Sequence, residues 1–279
     1  MEWERVDPLI RMALDEDLGS DGDVTSLAIF ADERRECRLV SKDTGVLAGA
    51  AVFERVFHLV DERSRVRFLF EDGTSLTPGM EVAEIGGLAT SVLASERVAL
   101  NFVSFLSGIA TQARDFVAAA AGRVEILDTR KTLPGFRALS KYAVRVGGAR
   151  NHRDGLHDMV LIKDNHIDMA GSISVAVERV RRRWGSRFRV EVECRTEDEV
   201  REAIDAGADI VMLDNMSRDR MAAALRLRRG AVKFEISGNM TLDKVRDLAG
   251  LGADYISVGS ITHSVRRFDF SLVTPREAA

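Results

Sequence analysis

Asp128-Thr129-Arg130-Lys131-Thr132-Leu133-Pro134-Gly135-Phe136-Arg137, followed by Asn151-His152-Arg153-Asp154 and Leu161-Ile162-Lys163-Asp164-Asn165-His166, decides how the chain is read. Val124 to Leu127 and Met159 to Ile162 read as short buried strands, and between them Leu139, Tyr142, Ala143 and Val146 recur at helical spacing up to Gly147-Gly148. Strand, helix, strand predicts neighbouring parallel strands. Arg130-Lys131 and Lys163-Asp164 then lie just past their carboxyl ends, where α/β proteins keep ligand sites, and His152-Arg153 lead into the second strand. Residues 128 to 166 hold eight Lys or Arg against four Asp in a chain that is acidic overall. Arg137, Lys141 and Arg145, four apart, read as a solvated helical face. The others converge on one region, and a pocket with that many cations wants a polyanion.

Downstream, strand and helix alternate at intervals of about twenty to thirty residues, the spacing of β/α units. Ile173, Ala176, Val177, Val180 and Trp184 form one helical stripe, and the arginines at 179 and 181 to 183 suit its carboxyl-terminal dipole. Phe188 to Val192 reads as a strand ending at Glu193. Thr196 with Glu199 has the capping-box pattern for a helix closed by Gly207. Ile210 to Leu213 ends at Asp214-Asn215, Val232 to Ile236 at Ser237-Gly238-Asn239, and Tyr255 to Val258 at Gly259-Ser260. Each strand delivers polar or glycine residues at its carboxyl end, as in a barrel.

Upstream the pattern differs. Leu9, Ile10, Ala13 and Leu14 mark a first helix that breaks at Gly19 to Ser26, and from Glu36 to Thr90 the alternation suggests antiparallel strands, interrupted by a helix from Ala51 to about Leu59. Ser95 to Ala121 reads as one long helix, or two with a bend at Ser107-Gly108, with Arg97 near its start, where a cation opposes the helix dipole. This predicts a small, mostly antiparallel α+β domain.

With 279 residues, 46% hydrophobic and 30% charged, the chain can bury a full core in one large or two modest domains. A formal charge of -4 and a pI near 5.8 argue against general nucleic-acid or anionic-membrane binding. Two distant cysteines, Cys37 and Cys194, are too few for a disulfide framework or a four-ligand zinc site. No run is expected to span a membrane, and a cytoplasmic address is the default expectation.

A carboxylate after an apolar strand is costly unless it meets a cation, a hydroxyl or a metal, so Glu193 and Asp214 are candidates for sugar hydroxyls or hydrated magnesium. The Ser237-Gly238-Asn239 and Gly259-Ser260 turns suit a phosphate cradle of backbone amides, and His263 could contact the phosphate. No Walker loop, paired helical His ligands or Gly-x-Ser-x-Gly elbow is present.

Taken together with Glu16-Asp17-Leu18-Gly19, Gly22 to Ser26 and Ser95-Glu96-Arg97, these motifs resemble the quinolinate phosphoribosyltransferase family, also called carboxylating nicotinate-nucleotide pyrophosphorylases. The match runs through nearly the whole chain in order. It implies a small α+β domain at 1–107, an open, incomplete TIM-like α/β barrel at 108–264, and a tail at 265–279 returning to the small domain. It implies Mg2+-dependent transfer of phosphoribosyl from 5-phosphoribosyl 1-pyrophosphate to quinolinate with decarboxylation, giving nicotinate mononucleotide for NAD biosynthesis. By resemblance, Arg97, Arg130, Lys131, His152, Arg153 and Lys163 hold quinolinate, with Lys131, Lys163, Glu193 and Asp214 catalytic. Glu193 and Asp214 also hold the ribose and its magnesium, while Ser237, Gly238, Asn239, Gly259, Ser260 and His263 take the phosphoribosyl side. The family's homodimers share active sites, Arg97 reaching the neighbour's pocket, and a higher oligomer can build on that dimer. Ala149 and Ser260 depart from the usual glycine and alanine. The rivals are a molybdenum-associated branch of the same fold, a Schiff-base aldolase using Lys131 or Lys163, and a non-enzymatic anion-binding module.

Overall fold

A computed structural model describes residues 3–275 and divides the chain into two compact units. The first contains residues up to 114, residues 134–148 and those from 265 onward; the second contains 115–133 and 149–264. The contiguous division expected at 107/108 and 264/265 differs from this grouping chiefly at 134–148. The reason is packing: Leu139, Ala143 and Val144 of the helix Arg137–Val146 are buried, Phe136 at its start stacks on Phe102, and Tyr142 donates to Asp72, all within the first unit. The expected solvated face also fails at Lys141, which is 3% exposed.

In the first unit, β1 (Arg34–Ser41), β3 (Arg65–Phe68), β5 (Glu81–Leu88) and β12 (Phe270–Val273) form an antiparallel sheet in the order β12-β1-β5-β3. A short antiparallel ladder joins β2 (Gly45–Val46) to β4 (Ser75–Leu76). The helix Ala50–Val60 buries Val52, Phe53, Val56 and Phe57, and Asp72 accepts from the Gly49 and Ala50 amides at its otherwise uncapped start. Asp23 caps the helix Val24–Ile29 within the expected break.

The helix Ala89–Ala120 is continuous through Ser107-Gly108. Gly108 serves close approach instead of a bend: a Cβ there would lie 2.3 Å from the Arg266 carbonyl oxygen. This helix is long and apolar enough to cross a membrane by length and composition, which corrects the expectation that no run is. Two thirds of its most apolar window is buried inside the protein, the signature of a core helix.

The second unit is built on β6 (Glu125–Leu127), β7 (Val160–Ile162), β8 (Val190–Cys194), β9 (Ile210–Asp214), β10 (Lys233–Ser237) and β11 (Tyr255–Ser257), all parallel in the order β6-β11-β10-β9-β8-β7. The expected adjacency of the strands before Arg130 and Lys163 is therefore corrected: β6 and β7 are the two edges. A crossover helix makes neighbours of two strands when it packs on their sheet, and the helix between these packs in the other unit. Helices Ile173–Trp184, Glu197–Asp205 and Leu242–Leu248 start at Ser172, Thr196 and Thr241, whose hydroxyls accept from Val175, Glu199 and Lys244 amides. The box at Thr196 is one-sided, since the Glu199 carboxylate accepts from the Arg195 amide instead.

Candidate active site

Strand geometry puts every second side chain on one face, and in β8 to β11 that inward set is polar where the carboxyl ends are reached. Glu193, Met212 with Asp214, Glu235 with Ser237, and Ser257 line one cavity of about 470 Å³. Leu161 and Lys163 from the β7 edge complete it, with Thr129, Arg130 and Lys131 following β6 and His152 and Arg153 from the segment before β7. The two sheet edges thus supply the cations to one pocket although their strands do not pair.

The cationic wall is braced from behind. Asp128, fully buried, accepts from the His152 amide at 2.8 Å and from the Asn151 side chain at 2.7 Å, fixing the segment that carries His152 and Arg153. Arg153 is 9% exposed and donates to the Met159 carbonyl. Burial and then the like charge of Arg130 pull its pKa below the ordinary arginine value, while Glu191 and Asp158 oppose them. A cavity lined by both guanidiniums suits an anionic ligand.

His152 faces inward with both ring nitrogens occupied. Nδ1 accepts from the Arg153 amide at 2.8 Å, so the proton of the neutral ring sits on Nε2, which lies 2.8 Å from Glu191 and 3.5 Å from Glu235. His152, expected as a quinolinate contact, lines the cavity and is held between the arginine segment and two buried carboxyls. Those carboxyls are fully buried, and their pKa values are raised mainly by burial; for Glu235 the neighbouring Glu191 adds to it. His152, Glu191 and Glu235 each offer a ligand atom within 4.8 Å of the others, but an Nε2 that carries the proton has no lone pair for a metal.

At the mouth, Lys163 Nζ is 2.6 Å from Glu193 Oε2. Asp214 accepts from the Asn215 side chain at 2.7 Å. These two carboxylates are an all-oxygen donor pair, which fits a hard divalent ion such as magnesium that keeps several waters. Gly238 lines an adjoining cavity of about 340 Å³ with Asn215, Arg218 and Lys244; its φ of +109 and the 2.2 Å from a built Cβ to Asn215 Oδ1 both require glycine. Asn239 has a positive φ of 43, and its carbonyl accepts from Lys244. Gly259 precedes the short helix Ser260–His263; a Cβ on it would meet Lys131 Cδ at 3.2 Å and the His263 ring at 3.3 Å.

Of the expected site residues, Arg130, Lys131, His152, Arg153, Lys163, Glu193, Asp214 and Ser237 share the first cavity. Gly238, Asn239, Gly259, Ser260 and His263 form the turns described above, and exposed Arg97 belongs to the first unit. The residues missed were Glu191, Glu235, Asn215 and Ser257. The signal for the two glutamates was present as alternation: Val190-Glu191-Val192-Glu193 and Phe234-Glu235-Ile236-Ser237 put a second polar side chain on the inward face, two residues below the one noticed.

Comparison with known proteins agrees with this architecture. The family model described as the C-terminal domain of quinolinate phosphoribosyl transferase matches residues 109–273, and that of its N-terminal domain matches 23–107. A Bacillus subtilis protein named probable nicotinate-nucleotide pyrophosphorylase (carboxylating) is 44% identical over 92% of this chain and 89% of its own length. A Synechocystis protein of the same name is 44% identical over 91% of this chain and 88% of its own. The crystal structure of NadC from Streptococcus pyogenes superposes with a TM-score of 0.94 at 42% identity, covering 98% of this chain and 96% of that one.

Proposed function

The chain belongs to the quinolinate phosphoribosyl transferase family, and from that premise we propose that its barrel pocket joins quinolinate to 5-phosphoribosyl 1-pyrophosphate, giving nicotinate mononucleotide, pyrophosphate and carbon dioxide. It is a decarboxylating pentosyltransferase that serves NAD biosynthesis. The observation that carries this is the meeting of Arg130, Lys131, Arg153 and Lys163 with Glu193 and Asp214 in one cavity. A dianionic ring acid needs the first group; a ribose at a cationic transition state needs the second.

An unpaired carboxylate out of water costs several kcal/mol, so each carboxylate of quinolinate requires its own charge-assisted partner. Arg130 and Arg153 supply planar donors, and Lys131 and Lys163 compact charges. The pyridine nitrogen attacks the anomeric carbon as pyrophosphate leaves. Glu193 and Asp214 face the positive charge that develops on the sugar. Once alkylated, the ring is itself the electron sink for loss of the adjacent carboxylate, and no further organic cofactor is needed.

Glu193 and Asp214 would also hold Mg2+, which when bound neutralises the leaving pyrophosphate. The turns at Ser237-Gly238-Asn239 and Gly259-Ser260, with His263, take the phosphoribosyl group. The working unit in this reading is a homodimer with shared sites, in which Arg97 reaches the partner's pocket, and its location is the cytoplasm. Two buried free thiols, Cys37 and Cys194, suit a reducing compartment.

The test is to mix the protein with quinolinate, 5-phosphoribosyl 1-pyrophosphate and magnesium and follow nicotinate mononucleotide and carbon dioxide together, with nicotinic acid as a parallel substrate. Equal amounts of both products from quinolinate, and none from nicotinic acid, are expected. A folded protein that turns over nicotinic acid but not quinolinate would overturn the assignment.

A further inference from the structure

Glu235 lines the pocket and has no task in the reaction as written above. Its side chain is fully buried, against the Glu191 carboxyl, the Ser257 hydroxyl and the His152 ring, whose Nε2 lies 3.5 Å away. The reaction, for its part, leaves one requirement unmet: loss of the carboxylate puts an electron pair on a ring carbon, and that carbon must receive a proton. We propose that Glu235 is the catalytic acid that delivers this proton. The inference rests on the quinolinate reading of the site.

The step balances without any other reagent. The bond between the ring carbon and its carboxylate breaks, its electron pair stays on the ring, and carbon dioxide leaves. That pair takes the proton of the Glu235 carboxyl, and the O–H pair remains on oxygen as a carboxylate. Water then restores the proton, and the overall uptake is one proton per carbon dioxide released.

Neighbouring groups favour Glu235 over other candidates. Lys163 is engaged with Glu193 at 2.6 Å, and the His152 proton is directed at Glu191 at 2.8 Å. Asp214 acts as an acceptor toward Asn215. Around Glu235 stand the Glu191 carboxyl from β8, the His152 ring from the segment before β7 and the Ser257 hydroxyl from β11, while Arg153 faces Glu191. Burial and the adjacent Glu191 both favour the protonated, neutral acid, as a donor requires. Resupply has a route, since a second cavity of about 350 Å³, lined by Asp158, Arg187 and Arg189 among others, shares His152, Arg153 and Glu235 with the first.

The experiment is rapid quench of Glu235→Gln with carboxyl-labelled quinolinate, reading pyrophosphate and carbon dioxide separately. Pyrophosphate release is expected to stay within a few-fold of wild type while carbon dioxide release slows by about a hundredfold or more, the usual worth of a positioned acid. The phosphoribosylated, still carboxylated adduct should accumulate, and Glu235→Asp should restore part of the carbon dioxide rate. Carbon dioxide keeping pace with pyrophosphate in Glu235→Gln overturns the proposal. So does an equal fall in both products that Glu235→Asp does not relieve, which marks a purely structural role. Wild-type protein making neither product would remove the reaction itself, and that control contains no substitution.

Discussion

The ammonium of Lys163 lies 2.6 Å from a carboxylate oxygen of Glu193, at the point where the β7 edge of the sheet meets the mouth of β8. Without substrate, the lysine neutralises a carboxylate that would otherwise repel an incoming dianion. In the proposed reading, Lys163→Met removes a substrate contact and exposes Glu193 as a repulsive charge. A loss of about two or more powers of ten in kcat/KM for quinolinate is expected, with little change in Tm because the lysine side chain is 45% exposed. In Lys163→Met with Glu193→Gln, the two losses should fall short of additive by about 1 kcal/mol or more, the signature of groups in contact. Strict additivity in the cycle would mean that the pair does not work as a unit.

In the proposed reading, Arg130 and Arg153 carry the recognition of the substrate carboxylates. Removing one partner of a buried ion pair costs about 3 to 5 kcal/mol, so Arg130→Ala and Arg153→Ala should each weaken quinolinate binding by about two or more powers of ten. Binding of 5-phosphoribosyl 1-pyrophosphate should change far less. Titration calorimetry with each ligand separates the two, and wild-type quinolinate affinity in both variants would sink the assignment.

Burial pushes the Glu235 carboxyl up to about 8, well above the 4.5 of an exposed glutamate. Folding near neutral pH must therefore take up a proton that the unfolded chain does not hold. The linkage sign is fixed by this: stability falls as pH rises from about 4.5 towards 8 and is level above that, so far as this group contributes. Glu235→Gln removes the requirement. Its Tm should match wild type near pH 4.5 and exceed it above pH 8 by the equivalent of a few kcal/mol, because each tenfold difference in proton affinity between the folded and unfolded chain is worth about 1.4 kcal/mol. A Tm difference that does not vary with pH would show that Glu235 is ionised in the folded protein.

What the sequence disclosed follows from how local each feature is. The apolar runs before Glu193, Asp214, Ser237 and Gly259 marked the parallel strands because a short buried strand carries its own signal, and the polar residue closing each run marked the barrel mouth. Strand order was not local. Arg130 and Lys163 were placed in one pocket for the wrong geometric reason: their strands were read as neighbours, whereas β6 and β7 are opposite edges, because the helix Arg137–Val146 packs outside the barrel unit. Lys141 shows the same limit, since three cations four residues apart define a helical face but not what that face touches. Glu191 and Glu235 stand two residues back from Glu193 and Ser237 on the same inward face, inside the apolar run where only the period of two, and not the strand end, marks them.

Arg97 is exposed near the start of the helix Ala89–Ala120 and is not among the residues lining the cavity. As the ninth residue of that helix it lies beyond the first turn, where the dipole acts, and its exposed guanidinium is accessible to an anion from elsewhere. In the homodimer proposed here, that anion is quinolinate in the partner's pocket. Arg97→Ala and Arg130→Ala would each inactivate a homodimer, the first by withholding a side chain from the partner and the second by damaging the subunit's own pocket. A mixed dimer then contains one pocket with both defects and one with neither. Mixing the two inactive proteins under conditions of proven subunit exchange should restore activity to about a quarter of wild type: half of randomly exchanged dimers are mixed, and each has one intact site. If exchange is complete and no activity returns, Arg97 acts within its own chain or not at all, and the shared-site arrangement has to be given up.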